Sequence, residues 1–304
     1  MDRKEMPSHH GAKTSLDDTY PNRTLKLLIE RASCRNFSDR NISSETMNLV
    51  LEAGIHSATG GNLQPYSIIK IENENTKQKL TEFCGQDFMR MAPVHLIFCI
   101  DWHRIERWAN LEIAPFTATS AFRHFWISFQ DTIICAQNVC VAADSVGLGS
   151  VYIGTILEFL PEIRDILSLP EGVLPVVLLC LGYPKSKPPQ RKKLGIRTIV
   201  HSEKYHEIED EKLLMAFAEK YPDLKVDISD ERLDRIQEVC RSLHGEEFAR
   251  KCIDKIKQNG YINPVQRYFC LHYTATEMPI ANEKFLKIIE DFGFNWFKKF
   301  PPDA

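Results

Sequence analysis

Two arginines and a serine at alternate positions, Arg31, Ser33 and Arg35 in "RASCRNF", are the first residues that could do chemistry. In an extended chain alternate side chains share a side, so the three would point the same way. A guanidinium grips two phosphate oxygens with a planar fork, and each charged hydrogen bond of this kind contributes roughly 1.5–3 kcal/mol. The trio reads as a phosphate receptor, with a solvated basic turn as the plain alternative. A second group lies in "ATGGNLQPYSIIKI", residues 58–71. A turn at a strand mouth uses Gly and Asn, but it has no need of Gln64. In an extended segment Asn62 and Gln64 would also face one way, and their amides both donate and accept. They suit a flat heteroaromatic ring or a polyol, and Pro65 stiffens the entry to the strand. The third group is "SVGLGSVYIGT", residues 145–155. Gly147 suits a helix C-cap and Gly149 a close backbone approach. Neither role explains Gly154, which follows Ile153 and leaves backbone N–H groups open to a ligand.

The elements that must position these groups are legible in part. A short amphipathic helix over 22–30 leads into "RASCRNF". Ser43 is a helix N-cap with Glu45 in the first turn. Ile42 and Met47 form a hydrophobic staple, and Met47, Val50, Leu51 and Gly54 follow at helical spacing. The amide-bearing stretch comes directly after this helix. Strands are predicted at 67–73, 93–101 and 173–184, a shorter one at 150–155, and helices at 75–84, 131–150 and 160–169. The 131–150 helix is apolar or small on nearly all sides, the mark of a buried helix. Residues 102–130 carry seven Trp and Phe with weak periodicity and read as a lid or a pocket wall. Interleaved strands and helices indicate a layered α/β or α+β fold. The composition changes near 206 to charged amphipathic helices. The chain therefore divides into a polar tail at 1–20, a main domain at 21–205 and a helical extension at 206–304.

The bulk numbers narrow the class. A chain of 304 residues with 43% hydrophobic and 26% charged residues is ordinary for a globular protein. Its net charge of −3 gives no reason to expect nucleic acid or an acidic membrane surface as partner. No stretch approaches the roughly 20 apolar residues of a membrane helix, and the N-terminus lacks the apolar centre of a secretory signal; a cytoplasmic protein is expected. The nine cysteines are odd in number, contain no C-x-x-C, and several lie in apolar runs. They read as reduced buried thiols. Cys240-x-x-x-His244 and Cys270-x-His272 do not match a familiar zinc spacing, so no metal site is assigned.

In order and spacing, five pieces resemble the nitroreductase family of FMN-dependent flavoproteins. They are Arg31-x-Ser33-x-Arg35-x-Phe37, the Ser57…Asn62-x-Gln64-Pro65-Tyr66 segment, "CAQNVCVAADSVGLGS", "YIGTI" and "LGYP", spread over roughly 21–205. The resemblance implies an α+β fold around a mixed central sheet and an intertwined homodimer with FMN at the interface. It implies that Arg31, Ser33 and Arg35 hold the FMN phosphate and ribityl chain, that Asn62, Gln64 and Pro65 reach the partner's flavin, and that the Ile153–Gly154 backbone lies beside the hydride-accepting nitrogen. Lys193 would complete the phosphate site, with Arg191 and Arg197 as rivals. The implied activity takes hydride from NAD(P)H and reduces a nitroaromatic, a quinone or a similar acceptor. The flavin performs the redox step, so no side chain is nominated as catalytic. Reductive dehalogenation or flavin fragmentation on the same fold, and a non-catalytic flavin-binding protein, are the alternatives. The chain departs from the family in carrying Tyr66 where Trp is frequent, and in the segment 206–304.

Overall fold

The two least polar runs of the sequence pair with each other. In the computed structural model, which describes residues 20–297, strand β2 (Val94–Asp101) and strand β4 (Val173–Gly182) are buried along their whole length. Burial on both faces explains why they read as continuous apolar runs rather than alternating ones. β1 (Tyr66–Ile71) flanks β2, and β3 (Gly149–Ile153) flanks β4, giving the order β1-β2-β4-β3. All three pairings are antiparallel. The α+β layering is as expected. The strand directions correct the expectation of a mixed sheet, because no parallel pair occurs among the described residues. The β2–β4 register shifts between Phe98 and Cys99, where Cys99 faces Pro175. Proline has no N–H for the ladder, so a central strand can carry it only at such an irregularity.

Helices α1 (Arg23–Glu30), α2 (Ser44–Ile55), α3 (Glu74–Cys84), α4 (His103–Leu111), α5 (Phe122–Ser145) and α6 (Leu160–Leu167) surround the sheet's strands in sequence. Ser43 caps α2 by accepting the Thr46 N–H at 3.2 Å, as its type and place predicted. α5 packs on β2, β4 and α2. It begins at Phe122, well before the predicted 131, and α4 lies inside the predicted aromatic insert. Phe122, Phe125, Trp126 and Phe129 in the first turns of α5 stand at i, i+3, i+4 and i+7, a helical spacing that the seven Trp and Phe of 102–130 read together obscured. These four rings pack on one another, Phe122 also meets Trp296, and Phe125 meets Phe294 and Trp296, the Phe125 and Trp296 ring centres lying 4.4 Å apart.

The described residues form two compact units, 20–190 with 292–297, and 191–291. The second holds α7 (Ile196–Ile199), α8 (Asp210–Lys220), α9 (Asp230–Asn259), α10 (Pro264–Arg267) and α11 (Asn282–Asp291). Gly245, at φ 82°, breaks the regular path of α9. Ile236, Val239 and Cys240 before the break share one core with Ala249, Ile253 and Ile256 after it. His244 packs on Phe248 and His272 on Tyr273.

Candidate functional site

The segment after α1 is extended and lies along β3. The Cys34 N–H donates to the Ser150 carbonyl at 2.8 Å, and Phe37 bridges to Pro184. The approach is close: a Cβ on Gly149 would sit 2.6 Å from the Cys34 Cβ, so only glycine fits there. Cys34 is buried, while Ser33 and Arg35 on either side of it are exposed; Phe37 further along is buried again. This is the alternation expected of an extended chain, and it turns the serine and one arginine outward together. Arg35 lies 5.9 Å from the Phe88 ring centre.

Arg31 is different. It caps α1, and its guanidinium turns toward α5 and β3. Nε donates to Asp144 Oδ2 at 2.8 Å, and Nη2 donates to Cys140 Sγ at 2.9 Å and Ser150 Oγ at 3.3 Å. Burial disfavours the Arg31 charge, but the Asp144 hydrogen bond and nearby negative charge outweigh it and raise the pKa. Burial also raises that of Asp144, against the pull of Arg31. Of the three residues expected to share a side, two do. The third ties the segment to the C-terminal part of α5.

The amide-bearing stretch is not extended, contrary to expectation. Gly60–Asn62 form a short 3-10 turn. Gly61, Asn62 and Gln64 have φ of 61°, 55° and 49°, in the left-handed region. Asn62 is exposed and its amide makes no hydrogen bond among the described residues. Gln64 folds back, Nε2 donating to the Ile55 carbonyl at 3.2 Å and to the Tyr66 hydroxyl at 3.4 Å. Pro65 is buried, and its carbonyl accepts the Asp101 N–H at 2.9 Å. The Gly60 N–H donates to both Asp131 carboxylate oxygens, each at 3.1 Å.

Ile153 is buried at the end of β3, and Gly154 follows at φ −84°, exposed. A Cβ on Gly154 would have nothing within 4 Å. Neither its backbone nor its packing requires glycine, so the open space above it is available to a ligand. Gln86 Nε2 donates to Thr155 Oγ1 at 3.2 Å, which links the Phe88 turn to the same strand end. The segment at 31–35 and Gly154 are thus strung along β3. The 60–64 turn is anchored elsewhere, on Asp131. Asp131 and Asp144 are thirteen residues apart in α5, about 20 Å along the helix axis. Lys193, Arg191 and Arg197 are exposed in the second unit.

The chain matches the Nitroreductase family pattern over residues 28–183. It belongs to the nitroreductase family. It is 31% identical over 198 residues to an oxygen-insensitive NADPH nitroreductase of Salmonella typhimurium, covering 65% of this chain and 80% of that one. It is 30% identical to an NADPH-flavin oxidoreductase of Vibrio harveyi, covering 62% and 76%. Among solved structures, NfrA2 of B. megaterium superposes with a TM-score of 0.69 at 26% identity over 91% of this chain and all of that one. The NADPH:FMN oxidoreductase of Vibrio harveyi, complexed with NAD+, superposes at 0.61 and 27% over 79% and 98%.

In this nitroreductase, the exposed residues fit an FMN-type group. Ser33 and Arg35 offer an outward hydroxyl and guanidinium suited to phosphate. Asn62 offers a free amide, and Gly154 leaves a gap beside a strand end. An aromatic-walled cavity of about 370 Å³ lies next to Asn62, lined by Leu63, Trp102, Ile105, Trp108, Phe116 and His124 among others. The insert read from the sequence as a lid or pocket wall supplies most of that lining. Sequence reasoning missed Asp131 and Asp144, which hold the Gly60 and Arg31 segments in place. The signal available was a pair of carboxylates in an otherwise apolar helix.

Proposed function

We propose that this chain is an FMN-dependent oxidoreductase that takes hydride from NAD(P)H and reduces a flat acceptor such as a nitroaromatic or a quinone. The observation that carries the site is the outward Ser33–Arg35 pair, pinned to β3 by the Cys34–Ser150 hydrogen bond. Ser33 and Arg35 bind the phosphate, and Arg31, through Asp144, keeps their segment at the strand. The Ile153–Gly154 backbone approaches the ring system, with no side chain at Gly154 to block it. The bound flavin supplies two-electron transfer between nicotinamide and acceptor. The protein's part is placement, so no general acid or base is assigned. The cavity beside Leu63 is of a size that holds small ligands and receives the acceptor.

The working form is a homodimer. Asp131, which anchors the turn carrying Asn62, and Asp144, which anchors the Arg31 segment, stand about 20 Å apart along α5, so one copy of the chain presents its two sets of residues well apart. We infer that Asn62, exposed on the turn whose Gln64 amide folds back and whose Pro65 is buried, serves the flavin of a second copy. Nine free thiols suit a reducing compartment such as the cytoplasm.

The test is direct. Purified protein should show a flavin absorbance spectrum or acquire one with FMN, and should oxidise NADPH or NADH when a quinone or nitroaromatic is added. Protein that stays colourless and does not take up FMN refutes the reading. Arg35→Ala should weaken FMN binding roughly tenfold or more, the loss of one charged hydrogen bond, with little change in thermal stability because the side chain is exposed. Unchanged FMN affinity would remove Arg35 from the site.

A further inference from the structure

The turn that presents Asn62 is built from residues that do not adopt its shape readily. Left-handed φ costs a residue with a side chain roughly 1–2 kcal/mol; Asn tolerates it better than Gln. Both Asn62 and Gln64 are held there, with Gly61 beside them. Such strain persists only where neighbouring groups over-determine the backbone. Two charged side chains do so here.

The first is Arg104, on α4. Its Nη2 donates at 2.8 Å to the Gln64 carbonyl and at 2.8 Å to the Tyr66 carbonyl, so one nitrogen spans the strained residue and the first residue of β1. Nη1 donates to Ser67 Oγ at 3.3 Å. Asp101, at the end of β2, fixes Arg104 in turn: its Oδ1 accepts the Arg104 N–H at 3.0 Å, and its Oδ2 accepts the Ser67 hydroxyl. The Asp101 N–H holds the Pro65 carbonyl between them. The second is Asp131, 5% exposed, which accepts the Gly60 N–H with both oxygens. The turn is therefore gripped at both ends, from α4 and from α5, while the Asn62 side chain between the grips stays exposed, with no hydrogen bond among the described residues.

We infer that Arg104 and Asp131 are positioning residues, which hold the 60–66 turn in its left-handed shape so that Asn62 is presented to the flavin. The inference rests on the reading of Asn62 as a flavin contact. Neither residue touches the ligand. A lysine cannot replace the arginine fully, because a single ammonium lacks the planar fork that reaches two carbonyls and a hydroxyl.

The experiment uses full-length protein and free FMN. FMN dissociation constants are measured for Arg104→Ala, Arg104→Lys, Asp131→Asn, Asn62→Ala and Arg35→Ala, with amide hydrogen exchange across residues 60–66. The expected result is about tenfold weaker FMN binding in Arg104→Ala, the order of one lost charged contact, with faster exchange in the turn. Arg104→Lys should lie between it and the parent. Gly tolerates left-handed φ, so adding Gln64→Gly to Arg104→Ala should slow the turn's exchange again. If Arg104→Ala does not fold, Arg104→Lys and Asp131→Asn give the same comparison. If Asn62→Ala and Arg35→Ala weaken FMN while neither Arg104 nor Asp131 variants do, the clamp is structural only and the inference is overturned. If Asn62→Ala leaves FMN affinity unchanged while Arg35→Ala weakens it, the premise that Asn62 meets flavin fails, and the inference with it. If all five leave it unchanged, the site reading itself fails.

Discussion

His95, the second residue of β2, has no exposed surface. Its Nε2 lies 3.0 Å from the Met89 carbonyl. A carbonyl only accepts, so Nε2 carries the proton and Nδ1 is left bare in the core. Burial, with a smaller push from Lys77, lowers the pKa from 6.5 to about 4, against the pull of Met89 and Glu74. The unfolded chain therefore takes up a proton before the folded one does. The stabilisation is present in full above pH 6.5 and is lost as pH falls from 6.5 to about 4, up to ~3 kcal/mol in all. Urea unfolding at several pH values in this window should show a shallower acid loss in His95→Gln than in the parent. Parallel curves would clear His95 of the effect. At this scale the sequence was informative where side-chain alternation decides the answer. Ser33 and Arg35 face outward because Cys34 between them faces inward. It was silent on Arg31, whose direction depends on a carboxylate 113 positions away. It was misleading at Asn62 and Gln64, because their left-handed φ is imposed by Asp131 and Arg104, which lie far along the chain.

The joint between α2 and α5 is as tight as packing allows. A Cβ on Gly54 would lie 2.3 Å from Val139 Cγ2, and Val139 is fully buried. Gly54→Val should destabilise the protein by about 1–3 kcal/mol, the usual cost of overpacking. Adding Val139→Ala should recover part of that loss in thermal unfolding, because it removes the opposing methyl group. A double variant no more stable than Gly54→Val would place the cost elsewhere. Elements whose signal is local were readable: the Ser43 cap, the buried runs of β2 and β4, and the short β3. The N-terminal third of α5 and all of α4 were not. Phe122, Phe125, Trp126 and Phe129 do stand at helical spacing, but Trp102, Trp108 and Phe116 do not continue it, and α4 spans only nine residues, so the insert taken as a whole showed no period.

At the scale of the whole molecule, the proposed site is divided along α5. Light scattering should give twice the chain mass of 35.0 kDa. Mixing Arg35→Ala and Asn62→Ala subunits offers a sharper check: if each defect belongs to a different flavin site, one site per mixed dimer keeps both residues and binds FMN at parental strength. A monomeric protein that binds FMN with normal affinity would end the shared-site reading. The sequence alone determined a layered α/β or α+β class, the buried strands and the outward turn of Ser33 and Arg35 about Cys34, because each depends on neighbours within a few residues, and the order of five motifs over roughly 21–205 carried the family pattern. The antiparallel order β1-β2-β4-β3, the withdrawal of Arg31 to Asp144, the strained turn at Asn62 and Gln64, and the boundary at 190/191 were decided only by tertiary structure. Each depends on groups distant in the chain, whose meeting local periodicity and spacing do not encode.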